Sequence, residues 1–163
     1  MDSLKERALK DLLVVHCSGT CPQTDIDADE LRRRCAQRGY LVVDHHYIIR
    51  RDGSIQSVVP ESASVGGQDS SERRTINLCL IGGADRDGQP QANFSRAQYD
   101  ALRALLAILK RRYSDAGIIG HRDLAPTVPC NEHTGPGACP SFDVQRWWSA
   151  LHEQVCQPGR REH

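Results

Sequence analysis

The chain has 163 residues, of which 39% are hydrophobic and 26% charged, and its formal net charge is zero. That length suits one domain with a hydrophobic core that needs no staples. A neutral balance excludes bulk attraction to nucleic acid or anionic membrane, and no run approaches the roughly 18 apolar residues of a membrane span.

The N-terminus, Met1-Asp2-Ser3-Leu4-Lys5-Glu6-Arg7, is charged and no long apolar segment follows it, so no secretory signal peptide is expected. Residues 12–17 read as a short buried strand, bounded by the Ser18-Gly19-Thr20 turn. Asp27 caps a helix through about Gly39, with Ala28, Leu31 and Cys35 on one face; the basic run Arg32-Arg33-Arg34 reads as its solvated side. Runs from His46 to Arg51 and from Ile55 to Val59 flank Asp52-Gly53, a hairpin signal. Residues 60–74 read as a surface loop, Ile76 to Ile81 as a buried strand ending at Gly82-Gly83, and Ala84 to Asn93 as a polar loop. A helix begins after Ser95: Ser95 and Gln98 form a capping box, and Phe94 and Tyr99 are spaced as a hydrophobic staple. Leu102, Leu105, Leu106, Leu109 and Tyr113 continue its apolar stripe. Ile118 and Ile119 form a short strand, residues 122–138 a long loop, and Asp143 caps a last helix carrying Trp147, Trp148, Leu151 and Val155. Strands alternating with helices predict a single α/β domain with one central mixed sheet flanked by helices.

Seven cysteines, an odd number, are present. Without a signal peptide a disulfide framework is not the default. Cys35 and Cys79 sit inside apolar patterns and read as small buried hydrophobes.

Three residues carry metal-ligand chemistry. His16 closes one apolar run, His121 follows another, and Cys139 opens Cys139-Pro140-Ser141-Phe142-Asp143 before the last helix. Two imidazoles and a thiolate suit Zn²⁺ and leave a fourth position for water, the arrangement of a catalytic site. Such an ion lowers the pKa of its water towards about 7 and polarises a carbonyl, which together hydrolyse an amide or ester. Each of the three residues taken singly is also an ordinary structural residue, and their separations match no short zinc motif.

The segments Val15-His16-Cys17-Ser18-Gly19-Thr20, His46-Tyr47-Ile48-Ile49-Arg50-Arg51-Asp52-Gly53, Gly120-His121-Arg122-Asp123 and Ala138-Cys139-Pro140-Ser141-Phe142-Asp143 occur in the order of a known family. The chain resembles the type 2 N-acetylmuramoyl-L-alanine amidases, relatives of the peptidoglycan recognition proteins, and most of all the small amidase-type lysozymes of T-odd phages. Asn77-Leu78-Cys79-Leu80-Ile81-Gly82-Gly83, Ala92-Asn93-Phe94-Ser95 and Val144-Gln145-Arg146-Trp147-Trp148 extend the likeness from about Leu12 to Leu151. The resemblance implies zinc in a surface groove, held by His16, His121 and Cys139. It also implies cleavage between the lactyl group of N-acetylmuramic acid and L-alanine of the stem peptide.

Three departures fall near the implied chemistry. Where the family has a Tyr that positions the attacking water, this chain has His45, which can donate or accept a hydrogen bond, near pH 7 can carry a proton, and can bind metal; a catalytic role is expected for it, with a surface or supporting position as the alternative. Where the phage lysozymes have a Lys placed to stabilise the oxyanion, this chain has Gly137, and losing one such donor costs about 10²–10³ in rate. Arg122, His133 or a backbone amide are the candidates to replace it. In the substrate-side segment Val65-Gly66-Gly67-Gln68, Gln68 stands in place of a His. Gln68 and His133 are therefore the expected substrate-binding residues.

The expected organisation is an N-terminal extension over 1–11, an amidase domain over 12–156 and a tail over 157–163. A monomeric phage or prophage endolysin is expected, acting on bacterial peptidoglycan, made in the cytoplasm and reaching the wall in the periplasm after release or delivery. The alternatives are a peptidoglycan-binding or polymerase-regulating protein on an amidase scaffold, or an amidase for soluble muropeptides. Residues 1–11 show no match to the polymerase-contacting extension of the phage lysozymes.

Overall fold

The strand β1 (Leu12–Cys17) is buried along most of its length. That is why its sequence is nearly continuously apolar rather than alternating. A computed structural model describes residues 10–37, 45–63, 74–124 and 138–153. In these, β1 is followed by α1 (Ala28–Gln37), β2 (Tyr47–Ile49), β3 (Ile55–Ser57), β4 (Thr75–Leu80), α2 (Arg96–Arg112), β5 (Gly117–Gly120) and α3 (Val144–Glu153). The sheet order is β3-β2-β4-β1-β5. β1 lies parallel between β4 and β5, β2 is parallel to β4, and β2 and β3 form the antiparallel hairpin. This is the expected mixed sheet. Its hydrogen bonding begins just before β1: Asp11 N–H donates to Arg74 O and Gly117 N–H donates to Asp11 O, both at 2.8 Å.

Helices cover both faces. On one, Leu13, Val15, Ile76, Leu78 and Leu80 pack against Leu102, Leu106 and Leu109 of α2 and Val144 of α3. On the other, Ile48, Cys79 and Ile81 pack against Leu31 of α1, with Ala28 and Cys35 partly buried beside them. The α2 start is as expected. Gln98 N–H donates to Ser95 Oγ at 3.1 Å and Ser95 N–H donates to Gln98 Oε1 at 3.0 Å. The staple rings of Phe94 and Tyr99 meet edge-to-face at 6.0 Å. Asp143 caps α3, its Oδ1 accepting from Arg146 N–H at 2.9 Å. No described helix is long and apolar enough to cross a membrane.

The hairpin strands are shorter than their sequence runs. His46 O accepts from both Val58 and Val59 N–H, and Asn77 N–H donates to the His46 ring rather than to a backbone carbonyl. Two donors on one carbonyl and a side chain in the ladder break the regular pairing before Tyr47 and after Ser57. Gly53 closes the turn with φ +85°, its N–H donating to Arg50 O at 2.9 Å. Gly83, at φ +97°, lies where an added Cβ would stand 2.6 Å from Cys17 Sγ, so only glycine lets this segment close over the end of β1.

Candidate metal centre

β1 and β5 run parallel, so His16 near the end of β1 and His121 just after β5 emerge at the same edge of the sheet. Their rings lie 4.6 Å apart, centre to centre. Cys139 reaches them from the segment before α3, and one donor atom from each of His16, His121 and Cys139 lies within 4.8 Å of the others. Backbone N–H groups of the residues that follow the two histidines bind Cys139 and hold the three segments together. Cys17 N–H donates to Cys139 Sγ at 3.2 Å, and Arg122 N–H donates to Cys139 O at 2.7 Å. His121 opens a single 3-10 turn. Leu124 N–H donates to its carbonyl, and Asp123 Oδ2 accepts from Gly120 N–H at 2.9 Å. Ser141 Oγ donates to Gly83 O at 2.6 Å, fastening the cysteine segment to the end of β4.

The donor set fits a metal ion. His121 Nδ1 is buried and has no hydrogen-bond partner among the described residues; a buried ring nitrogen is costly to leave unmet, and a metal ion would meet it. His16 Nε2 lies 3.1 Å from Asn77 Oδ1, which leaves its Nδ1 as the second available imidazole lone pair. Burial, and then the neighbouring His45 and His121, hold the His16 pKa well below its ordinary value. It is therefore neutral and ligand-competent at pH 7.

His45 lies against this cluster, not on the surface. It is 1% exposed, its ring sits edge-on to His16 at 4.9 Å, and its Nδ1 has no partner among the described residues. Burial, followed by the charges of His121 and His46, lowers its pKa to about 3. It is neutral at pH 7, so it offers one N–H and one lone pair rather than a positive charge. His46 is shifted down as well, chiefly by burial. These shifts give an acid-sensitivity prediction for the metal-free protein. Below about pH 6.5 the unfolded chain takes up protons that the folded rings refuse, so stability falls as pH falls. His45 alone is expected to cost about 2 kcal/mol at pH 5 relative to pH 7.5, and His16 and His46 act with the same sign. Urea unfolding midpoints of the metal-free protein at the two pH values check this; equal midpoints exclude the buried neutral state.

Gln68, His133 and Gly137 lie outside the described residues. Arg122 pairs with Asp143 at 3.5 Å. Two residues that sequence reasoning did not assign to the site touch its ligands here, Cys17 through its backbone N–H and Asn77 through its side chain, and His46 stands behind Asn77. Asn77 carried a weak signal, a polar residue between Ile76 and the apolar Leu78-Cys79-Leu80.

The fold and the site together define an α/β protein with a two-histidine, one-cysteine centre at the carboxyl ends of parallel strands. A family model described as N-acetylmuramoyl-L-alanine amidase matches residues 7–138, and the chain belongs to that family. An endolysin of Klebsiella phage KP32 is 39% identical over 136 residues, covering 83% of each chain. An endolysin of Escherichia phage T7 is 37% identical over 144 residues, covering 88% of this chain and 89% of that one. Among solved structures, the endolysin N-acetylmuramoyl-L-alanine amidase LysCS of Clostridium intestinale superposes with a TM-score of 0.66 at 19% identity, over 91% of this chain and 86% of that one, which shows the shared fold.

Proposed function

We propose that this chain is a zinc-dependent peptidoglycan amidase of the endolysin type. It hydrolyses the amide between N-acetylmuramic acid and the L-alanine of the stem peptide. The observation that carries this reading is the convergence of His16, His121 and Cys139 in a member of the amidase family. The likeness to two phage endolysins over 83% and 88% of the chain supports the lytic setting, in which the protein acts on the cell wall after release.

His16, His121 and Cys139 would hold the ion, which supplies Lewis acidity and a water acidic enough to ionise near neutral pH. Cys17 N–H, 3.2 Å from Cys139 Sγ, disperses charge on the thiolate and fixes its direction. His45 stands where the family has Tyr. A phenol and a neutral imidazole share one property, a donor and an acceptor on one rigid ring. His45 is therefore assigned to orient the attacking water or to meet the developing oxyanion through a ring nitrogen. Its burial excludes bulk water from that nitrogen, which strengthens the bond. Gln68 and His133 are proposed to contact the glycan or peptide.

The test is mass spectrometry of products from purified peptidoglycan. Free stem peptides beginning with L-alanine are expected, lost on chelation and restored by Zn²⁺. Peptidoglycan left intact by a protein that carries one zinc per chain would overturn the reading in favour of a binding role. Cleavage of soluble anhydro-muropeptides but not of sacculi would move the substrate to cell-wall fragments.

A further inference from the structure

We infer that Asn77 is a positioning residue for the metal centre: its side-chain oxygen fixes which nitrogen of His16 faces the ion. The inference deepens the proposed function and rests on its assignment of His16 as a ligand.

Asn77 lies in the middle of β4, opposite Val14 of β1, and His16 is opposite Cys79. Side chains alternate along strands, so Asn77 and His16 share one sheet face, a diagonal step apart. Asn77 Oδ1 is 3.1 Å from His16 Nε2. An amide oxygen only accepts. His16 must therefore carry its proton at Nε2, and its lone pair is left at Nδ1.

Asn77 is itself held from several directions. Its N–H donates to His46 Nδ1 at 3.0 Å and its carbonyl accepts from His46 N–H at 2.8 Å. Its side-chain nitrogen donates to Thr75 Oγ1 at 3.5 Å, which directs the amide oxygen away from Thr75 and towards His16. His46 has a defined tautomer for the same reason. Its Nδ1 accepts, so Nε2 carries the proton and donates to Ala63 O at 3.1 Å. Ala63 and the Asn77 N–H thus fix the His46 tautomer, His46 holds the Asn77 backbone, and the Asn77 side-chain oxygen sets the sense of the bond to His16. This is the arrangement by which an outer partner sets the tautomer and basicity of a ligating histidine. Asn77 is 9% exposed and polar among the buried apolar residues Ile76, Leu78, Cys79 and Leu80, and the bond to His16 gives that side chain a use.

The experiment compares the full chain with N77L, which lacks the acceptor, and N77D, which keeps it. Zinc affinity is measured by competition with a chromophoric chelator, and the His16 tautomer by ¹⁵N chemical shifts of the metal-free protein. N77L is expected to bind zinc about 10–100-fold more weakly and to show a mixture of tautomers. N77D is expected to stay within about threefold of the parent affinity, since a charge-assisted acceptor replaces a neutral one. A folded N77L with parental zinc affinity and a pure Nε2–H tautomer would overturn the inference. Should N77L not fold, the parent and N77D still decide it. An Nδ1–H tautomer in the metal-free parent, or a loss of affinity in N77D as large as 10–100-fold, overturns it. A parent chain that binds no zinc would instead overturn the ligand assignment beneath it.

Discussion

Cys139→Ser is expected to give a folded protein that has lost its zinc and whose release of stem peptides is lower by about 10³-fold, the scale of several kcal/mol of Lewis-acid stabilisation. The substitution suits the site. Cys139 is 2% exposed and packs in the main core, so truncation to alanine would mix ligand loss with a cavity. Serine keeps the shape and can still accept from Cys17 N–H, which donates to the sulfur at 3.2 Å. It removes only the thiolate, since an alcohol remains protonated at neutral pH and is a poor zinc ligand. Metal content by mass spectrometry, urea unfolding and product release separate the effects. A variant that retains one zinc per chain removes Cys139 from the ligand set, whatever its activity. One that loses zinc but keeps turnover removes zinc from the reaction.

The parts of the fold that were legible in the sequence are those encoded over a few residues. The α2 capping box and staple are read from Phe94, Ser95, Gln98 and Tyr99, all within one helical turn and a half. Asp52-Gly53 marks the hairpin because a turn must place a residue at positive φ, and Gly53 does so at +85°. The three donor residues were legible by type and by the family segments that contain them, His16 and His121 at the ends of apolar runs and Cys139 at the start of Cys139-Pro140-Ser141-Phe142-Asp143. What supports them was not. Asn77 and His16 are 61 residues apart, Asn77 and His46 are 31 apart, and Cys17 and Cys139 are 122 apart. Neither propensity nor periodicity carries information over such separations; the register of β4 against β1 and β2, and the docking of the segment before α3 on the end of β1, bring these groups together. His46 shows the cost in detail. By alternation it reads as the first residue of a strand, yet its ring takes a backbone donor of β4 and its carbonyl takes two donors from the hairpin. The strand starts one residue later for that reason. His45 is the converse case. Its imidazole suggested a group that can carry a proton near pH 7, but burial is a tertiary property, and it keeps the ring neutral.

That neutrality decides what His45→Phe is expected to do. Phenylalanine keeps a planar ring in a site 1% exposed and deletes both ring nitrogens. If His45 orients water or meets the oxyanion, kcat falls by about 10²-fold, the range for losing one positioned hydrogen-bonding group. Zinc stays at one per chain, because His45 is outside the group of donors that converge. His45→Tyr, which restores the family's donor and acceptor, is expected to recover much of the loss if its larger ring is accommodated. KM is expected to change little, since an interaction made in the transition state appears in kcat and kcat/KM together. A supporting role predicts a different pattern: the edge-on contact with His16 at 4.9 Å survives in the phenylalanine variant, so turnover stays within a few-fold of the parent and only the acid sensitivity changes. Removing the buried imidazole is expected to make the metal-free protein more resistant to unfolding at pH 5, in either case by about 2 kcal/mol. Parental turnover combined with that gain in acid stability would leave His45 as packing beneath His16 and place the water-positioning group elsewhere.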